Sequence, residues 1–193
     1  SMAAITSGPL GMNELEVAGG LLGEPLRVTK AETVDIPVPA DAEIVIEGVI
    51  DPTKIITDGP FPEYAGYYGP KRPSYLLNVT CITMRRDAIY QGLDPAHREL
   101  TLYMTLPAEA SLYRAIKRRI PTVKAVHTPP SGRSHHHYVS IAKRAQGEGM
   151  LAGLLALGAE LNSKLVIVVD EDIDVFNEEE VMWAVATRVA WDK

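Results

Sequence analysis

Asp58 and Glu63 stand five residues apart in the run Asp58-Gly59-Pro60-Phe61-Pro62-Glu63-Tyr64-Ala65-Gly66-Tyr67-Tyr68-Gly69. Two carboxyl groups in a segment too rich in glycine and proline to be regular can give and take protons. Pro60 and Pro62 each fix φ and push Gly59 and Phe61 towards extended backbone, so the run is no helix and is held to few shapes. Its glycines permit positive φ or the close approach of a backbone or a flat ligand. Phe61, Tyr64, Tyr67 and Tyr68 supply apolar walls that could raise a carboxyl pKa towards neutrality. The chemistry this points to is proton transfer in a dry pocket. The competing reading is a surface loop in which Asp58 caps a turn and the tyrosines cover a neighbouring core. Residue types alone leave both open.

The flanking elements must hold that loop. Residues 43–50 alternate acidic and β-branched side chains, and residues 74–84 form a second β-prone run. Upstream, residues 13–18 suit a short helix ending at Gly19-Gly20, residues 26–34 suit a strand, and Pro37 and Pro39 punctuate. Strand, loop and strand fit a barrel wall. After Pro107 the pattern changes to helices over 108–119, 148–159 and 178–189 and strands over 122–127, 138–142 and 165–169. That alternation is the mark of an α/β unit. The expected fold class is therefore α+β or mixed α/β, with a first domain over 1–106 carrying the loop at 58–69 and a second over 107–193.

Composition sets bounds on function. With 193 residues and 46% hydrophobic content, the chain can bury a sizeable core. Its net charge is −6 and its basic residues are scattered apart from short clusters such as Lys117-Arg118-Arg119, so no nucleic-acid footprint is present. Cys81 stands alone, which excludes an intrachain disulfide and a multi-thiolate metal site; its apolar neighbours suggest a buried thiol. The longest apolar run, 150–159, is too short for a membrane span, and no basic n-region leads into a long apolar stretch at the start. No membrane association is expected, and a cytoplasmic location is the default.

Three further clusters carry less. Asp170, Asp172 and Asp174 imitate the opening of an EF-hand, but Val175 replaces the required glycine and Val181 the bidentate glutamate. Asn177 and Glu180 instead have the spacing of a helix-capping pair. His135, His136 and His137 lie in a β-prone run, where adjacent side chains face opposite ways, so at most His135 and His137 could share a ligand. Glu14 and Glu16 carry no chemical signature of their own and read as helix-surface charges.

Taken with DAEIVIEGVID at 41–51, the Asp58–Gly69 run resembles the E-G-P-F-G-E-x-x-G-Y segment of the UbiD family of reversible decarboxylases, which use prenylated FMN. GMNELEVAGGLLGEPLRVTKAETVD at 11–35 resembles the segment that precedes it, and LVIVVDEDIDVFNEEEVMWAVATRV at 165–189 resembles the later V-V-D-D-D-I-D-V-x-[DN] segment. Three motifs agree in order, where any one alone would be weak. The resemblance implies a partial split β-barrel, related to flavin reductases, followed by the start of a C-terminal α/β oligomerisation domain. It also implies a carboxy-lyase acting on an aromatic or α,β-unsaturated (acrylic) carboxylic acid.

In that pattern Asp58 and Glu63 match the two catalytic acids, with Asp58 one methylene shorter than the family's glutamate. Glu63 is the implied proton donor to the carbon that carbon dioxide leaves. Pro60 and Phe61 fall where the family contacts its cofactor. Glu14 matches the acidic ligand of a divalent metal, Mn²⁺ or Mg²⁺, that bridges the flavin phosphate, with Glu16 as the alternative register; K⁺ accompanies the family's cofactor. Family members are homodimers or larger.

The family's catalytic arginine, its other metal ligands and much of its phosphate cradle belong to a segment preceding the matched region, and no substitute for them stands out in this sequence. The expectation is a central fragment, inactive by itself. Two other readings remain: a non-catalytic subunit of the same architecture, and a flavin-reductase-like barrel binding ordinary FMN. No G-x-G-x-x-G fingerprint supports nicotinamide binding.

Overall fold

The computed structural model describes residues 11–189, which fall into two compact units, 11–96 and 97–189. In the first, helix α1 (Glu14–Leu22) starts where the Asn13 side chain accepts from the Leu15 amide at 2.9 Å, satisfying a donor that the helix itself cannot. It runs past the Gly19-Gly20 pair and ends at Gly23 in the left-handed conformation, a common helix stop. Strands β1 (Val28–Lys30) and β2 (Pro37–Pro39) form a short antiparallel pair.

The dominant feature of this unit is a long antiparallel ribbon of β3 (Ile44–Asp58) and β4 (Arg72–Met84), in register from Ile44 opposite Met84 to Asp58 opposite Arg72. Register shifts fall between Glu47 and Gly48 and between Ile50 and Ile55. At the first, a Cβ on Gly48 would lie 2.5 Å from the Asn78 carbonyl oxygen, so only glycine lets the strands approach this closely. Next to it, the Glu47 carboxylate is buried and accepts from the Glu32 amide (2.9 Å), the Thr33 amide (2.7 Å) and the Thr33 hydroxyl (2.7 Å). These bonds hold its pKa below the usual carboxylate range, led by the Glu32 amide. They also fasten the β1–β2 turn to the ribbon.

Both sheets of this unit are two-stranded, and the described residues form no closed barrel. Val49 and Ile50 are adjacent, so they point to opposite faces of the ribbon, and each is more than half exposed, as are Ile46, Ile55, Tyr75 and Ile82. Cys81 is half-buried on β4 and not enclosed as its neighbours suggested, because the ribbon faces are open.

The second unit is a three-stranded sheet in the order β5 (Val123–His127), β6 (His136–Ile141), β7 (Leu165–Asp170), with β5–β6 antiparallel and β6–β7 parallel. Helix α2 (Arg98–Lys117) precedes it, α3 (Glu148–Ala159) makes the crossover from β6 to β7, and α4 (Glu178–Arg188) follows. Central strand β6 is buried on both faces. Val139 and Ile141 join Leu112 and Ile116 of α2 and Ala152 and Ala156 of α3, whereas Tyr138 packs with Val169 and with Val181 and Ala184 of α4. Helices therefore cover both faces of the sheet, as a parallel pair requires.

The division between units lies at 96/97, ahead of the expected boundary, and Pro107 sits inside α2. A proline lacks the amide that an interior helix position donates, which is why the sequence predicts a helix start there. The stripe Thr101, Thr105, Ala108, Leu112 and Ile116 is buried on both sides of it, and that packing carries the helix back to Arg98, where the His97 ring accepts from the Glu99 amide at 3.3 Å. Among the described residues no helix is long and apolar enough to cross a membrane.

Candidate functional site

The Gly/Pro-rich loop is the connection between β3 and β4, and it folds on itself as a smaller hairpin. The Glu63 amide donates to the Tyr67 carbonyl (2.8 Å), the Gly69 amide to the Phe61 carbonyl (2.9 Å) and the Gly66 amide to the Glu63 carbonyl (3.0 Å), with a bridge between Pro62 and Tyr68. Gly66 turns the chain at φ +92°, a conformation that other residues adopt at a cost. Gly59 also has positive φ and is joined to Pro60 by a cis peptide bond, so it is not extended as the sequence implies.

Asp58 is the last residue of β3 and half-buried, and Glu63 is half-buried at the start of the inner turn. Phe61 and Tyr64 are half-buried, Pro60 is exposed, and Tyr67 and Tyr68 are 77% and 75% exposed. The two last tyrosines thus face solvent within this unit and do not wall in the carboxylates. Their place is taken by a cation. Arg72, the first residue of β4 and the ladder partner of Asp58, brings Nη2 to 3.7 Å from Glu63 Oε1 and lays its guanidinium 5.3 Å from the centroid of the Phe61 ring. The sequence reading missed Arg72, because Lys71-Arg72 looks like an ordinary exposed basic pair. The readable signal was the hairpin itself: in an antiparallel ribbon the residue that opens β4 must face the one that closes β3.

Glu14 and Glu16 both lie exposed in the first turn of α1, where negative charge complements the helix dipole. Glu16, and not Glu14, borders a shallow cavity of about 550 Å³ that also takes in Leu15, Gly19, Leu26 and Pro37. Among the described residues no three His, Cys, Asp or Glu side chains converge to hold a metal ion. A single exposed carboxylate fits one hard-cation ligand, with the remaining donors coming from elsewhere.

The other clusters have structural roles. His137 is fully buried with Nδ1 3.0 Å from the Thr128 hydroxyl, while His135 Nδ1 bonds the Asn162 carbonyl at 2.8 Å, so the triplet does not converge. Asp172 pairs with Arg188 at 2.8 Å, the Asp174 carboxylate accepts from the Phe176 amide at 2.9 Å, and Asn177 caps α4 through the Glu180 amide at 3.4 Å.

Comparison with known proteins places this loop and the α/β unit that follows it in one class. The profile described as the 3-octaprenyl-4-hydroxybenzoate carboxy-lyase Rift-related domain matches residues 1–97, and that of the same enzyme's C-terminal domain matches residues 101–193. The chain belongs to the UbiD family. An anhydromevalonate phosphate decarboxylase of Methanothermobacter thermautotrophicus is 38% identical over 192 residues, covering 99% of this chain and 45% of that protein.

Among solved structures, the UbiD-class enzyme HmfF of Pelotomaculum thermopropionicum in complex with FMN superimposes with a TM-score of 0.94 at 44% identity, over 98% of this chain and 43% of that one. An evolved dimeric form of HmfF in complex with prFMN gives 0.94 at 45%, over 97% and 44%. The apo 3,4-dihydroxybenzoic acid decarboxylase AroY of Klebsiella pneumoniae gives 0.89 at 33%, over 99% and 42%. The chain thus spans less than half the length of these relatives.

Proposed function

We propose that this chain is the central, proton-handling part of a prenylated-FMN-dependent decarboxylase that removes carbon dioxide from an aromatic or α,β-unsaturated carboxylic acid. The observation that carries the reading is the β3–β4 loop. It presents Asp58 and Glu63 from a hairpin pinned by its own backbone bonds, in a member of the UbiD family. Relatives that act on 3,4-dihydroxybenzoic acid and on anhydromevalonate phosphate support the substrate class.

Prenylated FMN, when bound, supplies the electron sink that makes loss of carbon dioxide accessible. Everything else falls to residues. Glu63 holds a proton and delivers it to the substrate carbon from which carbon dioxide has departed, and is reprotonated from solvent. Asp58 stands at the other end of the loop as its carboxylate partner. Pro60 and Phe61 would offer the loop's rigid edge to the flavin, and Glu14 would supply one oxygen ligand to Mn²⁺ or Mg²⁺, which with K⁺ would help hold the anionic cofactor.

The first unit is read as part of a flavin-reductase-like split barrel and the second as the opening of a C-terminal oligomerisation domain. The dimeric form of HmfF among the structural relatives supports a homo-oligomeric parent, and a cytoplasmic location belongs to the same reading. The chain alone is expected to be inactive: the family's catalytic set includes metal ligands beyond Glu14, and among the described residues no three His, Cys, Asp or Glu side chains converge to hold a metal ion.

The test is decarboxylation by the full-length parent loaded with prenylated FMN, Mn²⁺ and K⁺, against a panel of aromatic and acrylic acids. Glu63→Gln should lower kcat by at least about 100-fold with the cofactor still bound. A folded, loaded parent inert across the panel would count against the decarboxylase reading and favour a non-catalytic family member.

A further inference from the structure

We propose that Arg72 is a positioning residue for Glu63, fixing the direction in which that carboxyl group points; this rests on the reading of Glu63 as proton donor. Arg72 touches the loop at three places. Its backbone pairs with Asp58 where the loop begins, its guanidinium lies over Phe61 at 5.3 Å, and its Nη2 is 3.7 Å from Glu63 Oε1. A planar guanidinium can stack on a ring and present its edge to a carboxylate at once, which an ammonium cannot.

Glu63 is also confined by Gly69. A Cβ added at Gly69 would lie 3.0 Å from Glu63 Oε1 and 3.1 Å from its Cγ, so the side chain rests against that bare backbone. Carboxyl orientation is therefore set jointly by a glycine that leaves room for it and an arginine that draws it. The 3.7 Å separation is an ion contact, longer than a hydrogen bond, and Arg72 is 59% exposed, so the contact biases a rotamer and does not brace the fold. The loop's backbone bonds, from the Glu63 and Gly69 amides, do not involve Arg72.

The first arm of the test uses this 193-residue chain and needs no cofactor. Side-chain couplings of isotope-labelled Glu63 are compared in the parent sequence, Arg72→Gln and Arg72→Lys. An exposed pair is worth up to about 1 kcal/mol, so Arg72→Gln should cut the population ratio of the dominant Glu63 rotamer by up to about fivefold, with partial recovery in Arg72→Lys. Raising NaCl from about 0.05 to about 0.5 M should erode the preference in the parent sequence and leave Arg72→Gln unchanged. Amide protection at Glu63 and Gly69 should stay the same throughout. Unaltered Glu63 couplings in Arg72→Gln overturn the proposal, and so does loss of amide protection in that variant, which would make Arg72 a brace of the loop.

The second arm uses the loaded full-length protein. Arg72→Gln should lower kcat up to about fivefold with KM unchanged, less than Glu63→Gln does. Wild-type kcat in Arg72→Gln beside an inactive Glu63→Gln refutes the positioning role alone. A fully active Glu63→Gln refutes the proton-donor reading and leaves the rotamer measurement to decide what Arg72 does.

Discussion

His137 is fully buried, its Nδ1 meets the Thr128 hydroxyl at 3.0 Å, and its Nε2 has no hydrogen-bond partner among the described residues. Burial pushes its pKa from 6.5 down to about 4, reinforced by the neighbouring His136 and His135 and opposed by Glu109. The folded state thus holds a neutral imidazole, whereas the unfolded chain takes up a proton once the pH drops below 6.5. Between those two values the unfolded state binds more protons, so stability falls as the pH is lowered across that window and loses nothing further through this group below about 4. The full shift corresponds to about 3 kcal/mol, a large part of the stability of a typical domain.

Two assays read this directly. In a proton–carbon correlation titration the His137 Cε1 resonance should stay at its neutral position until about pH 4. In guanidinium unfolding followed by tryptophan fluorescence, His137→Asn keeps a hydrogen-bonding atom near Nδ1 but cannot titrate. Its stability should therefore fall less than the parent's between pH 6.5 and 4. A His137 resonance titrating near 6.5, or the same pH slope in the variant as in the parent, would refute the reasoning.

Two other outcomes follow from the described geometry. Ile116→Ala, at a fully buried position of α2 packed on Val139 and Ala152 in one cluster, should cost about 3 kcal/mol in the second unit, checked by the same guanidinium unfolding. In the loaded parent, Glu14→Gln should weaken Mn²⁺ binding about tenfold, with Glu16→Gln near neutral, as judged by the free-Mn²⁺ electron paramagnetic resonance signal; the reverse order would assign the ligand to Glu16.

The second unit was largely legible in the sequence. Strands around 123–127, 136–141 and 165–170 and helices at 148–159 and 178–188 lie close to where hydrophobic period and capping residues put them. These elements bury one another, so local pattern and tertiary packing agree. Where packing overrode local preference, the reading fell short. Pro107 argues for a helix end, yet a buried stripe carries α2 across it; α1 also runs past Gly19-Gly20 to its cap at Gly23, there without burying a residue.

The loop was recognisable from its carboxylates, glycines and prolines, but the aromatic enclosure was not there, since exposure of Tyr67 and Tyr68 depends on what else lies over the ribbon and not on their own identity. Arg72 could not be singled out by type or spacing, because its approach to Glu63 is created by strand register, which pairs residues far apart in the chain.

The bare ribbon also has a consequence for handling this protein. Among the described residues this ribbon is a sheet of two strands, so β3 and β4 each have an outer edge that no other described strand pairs, beside exposed isoleucine, valine and tyrosine side chains. Such a surface templates strand addition by any chain that meets it, including identical copies. Dispersed solutions will therefore depend on low concentration and on solvents that mask backbone edges, and the temperature at which turbidity appears will report on that ribbon more than on unfolding of the well-packed α/β unit.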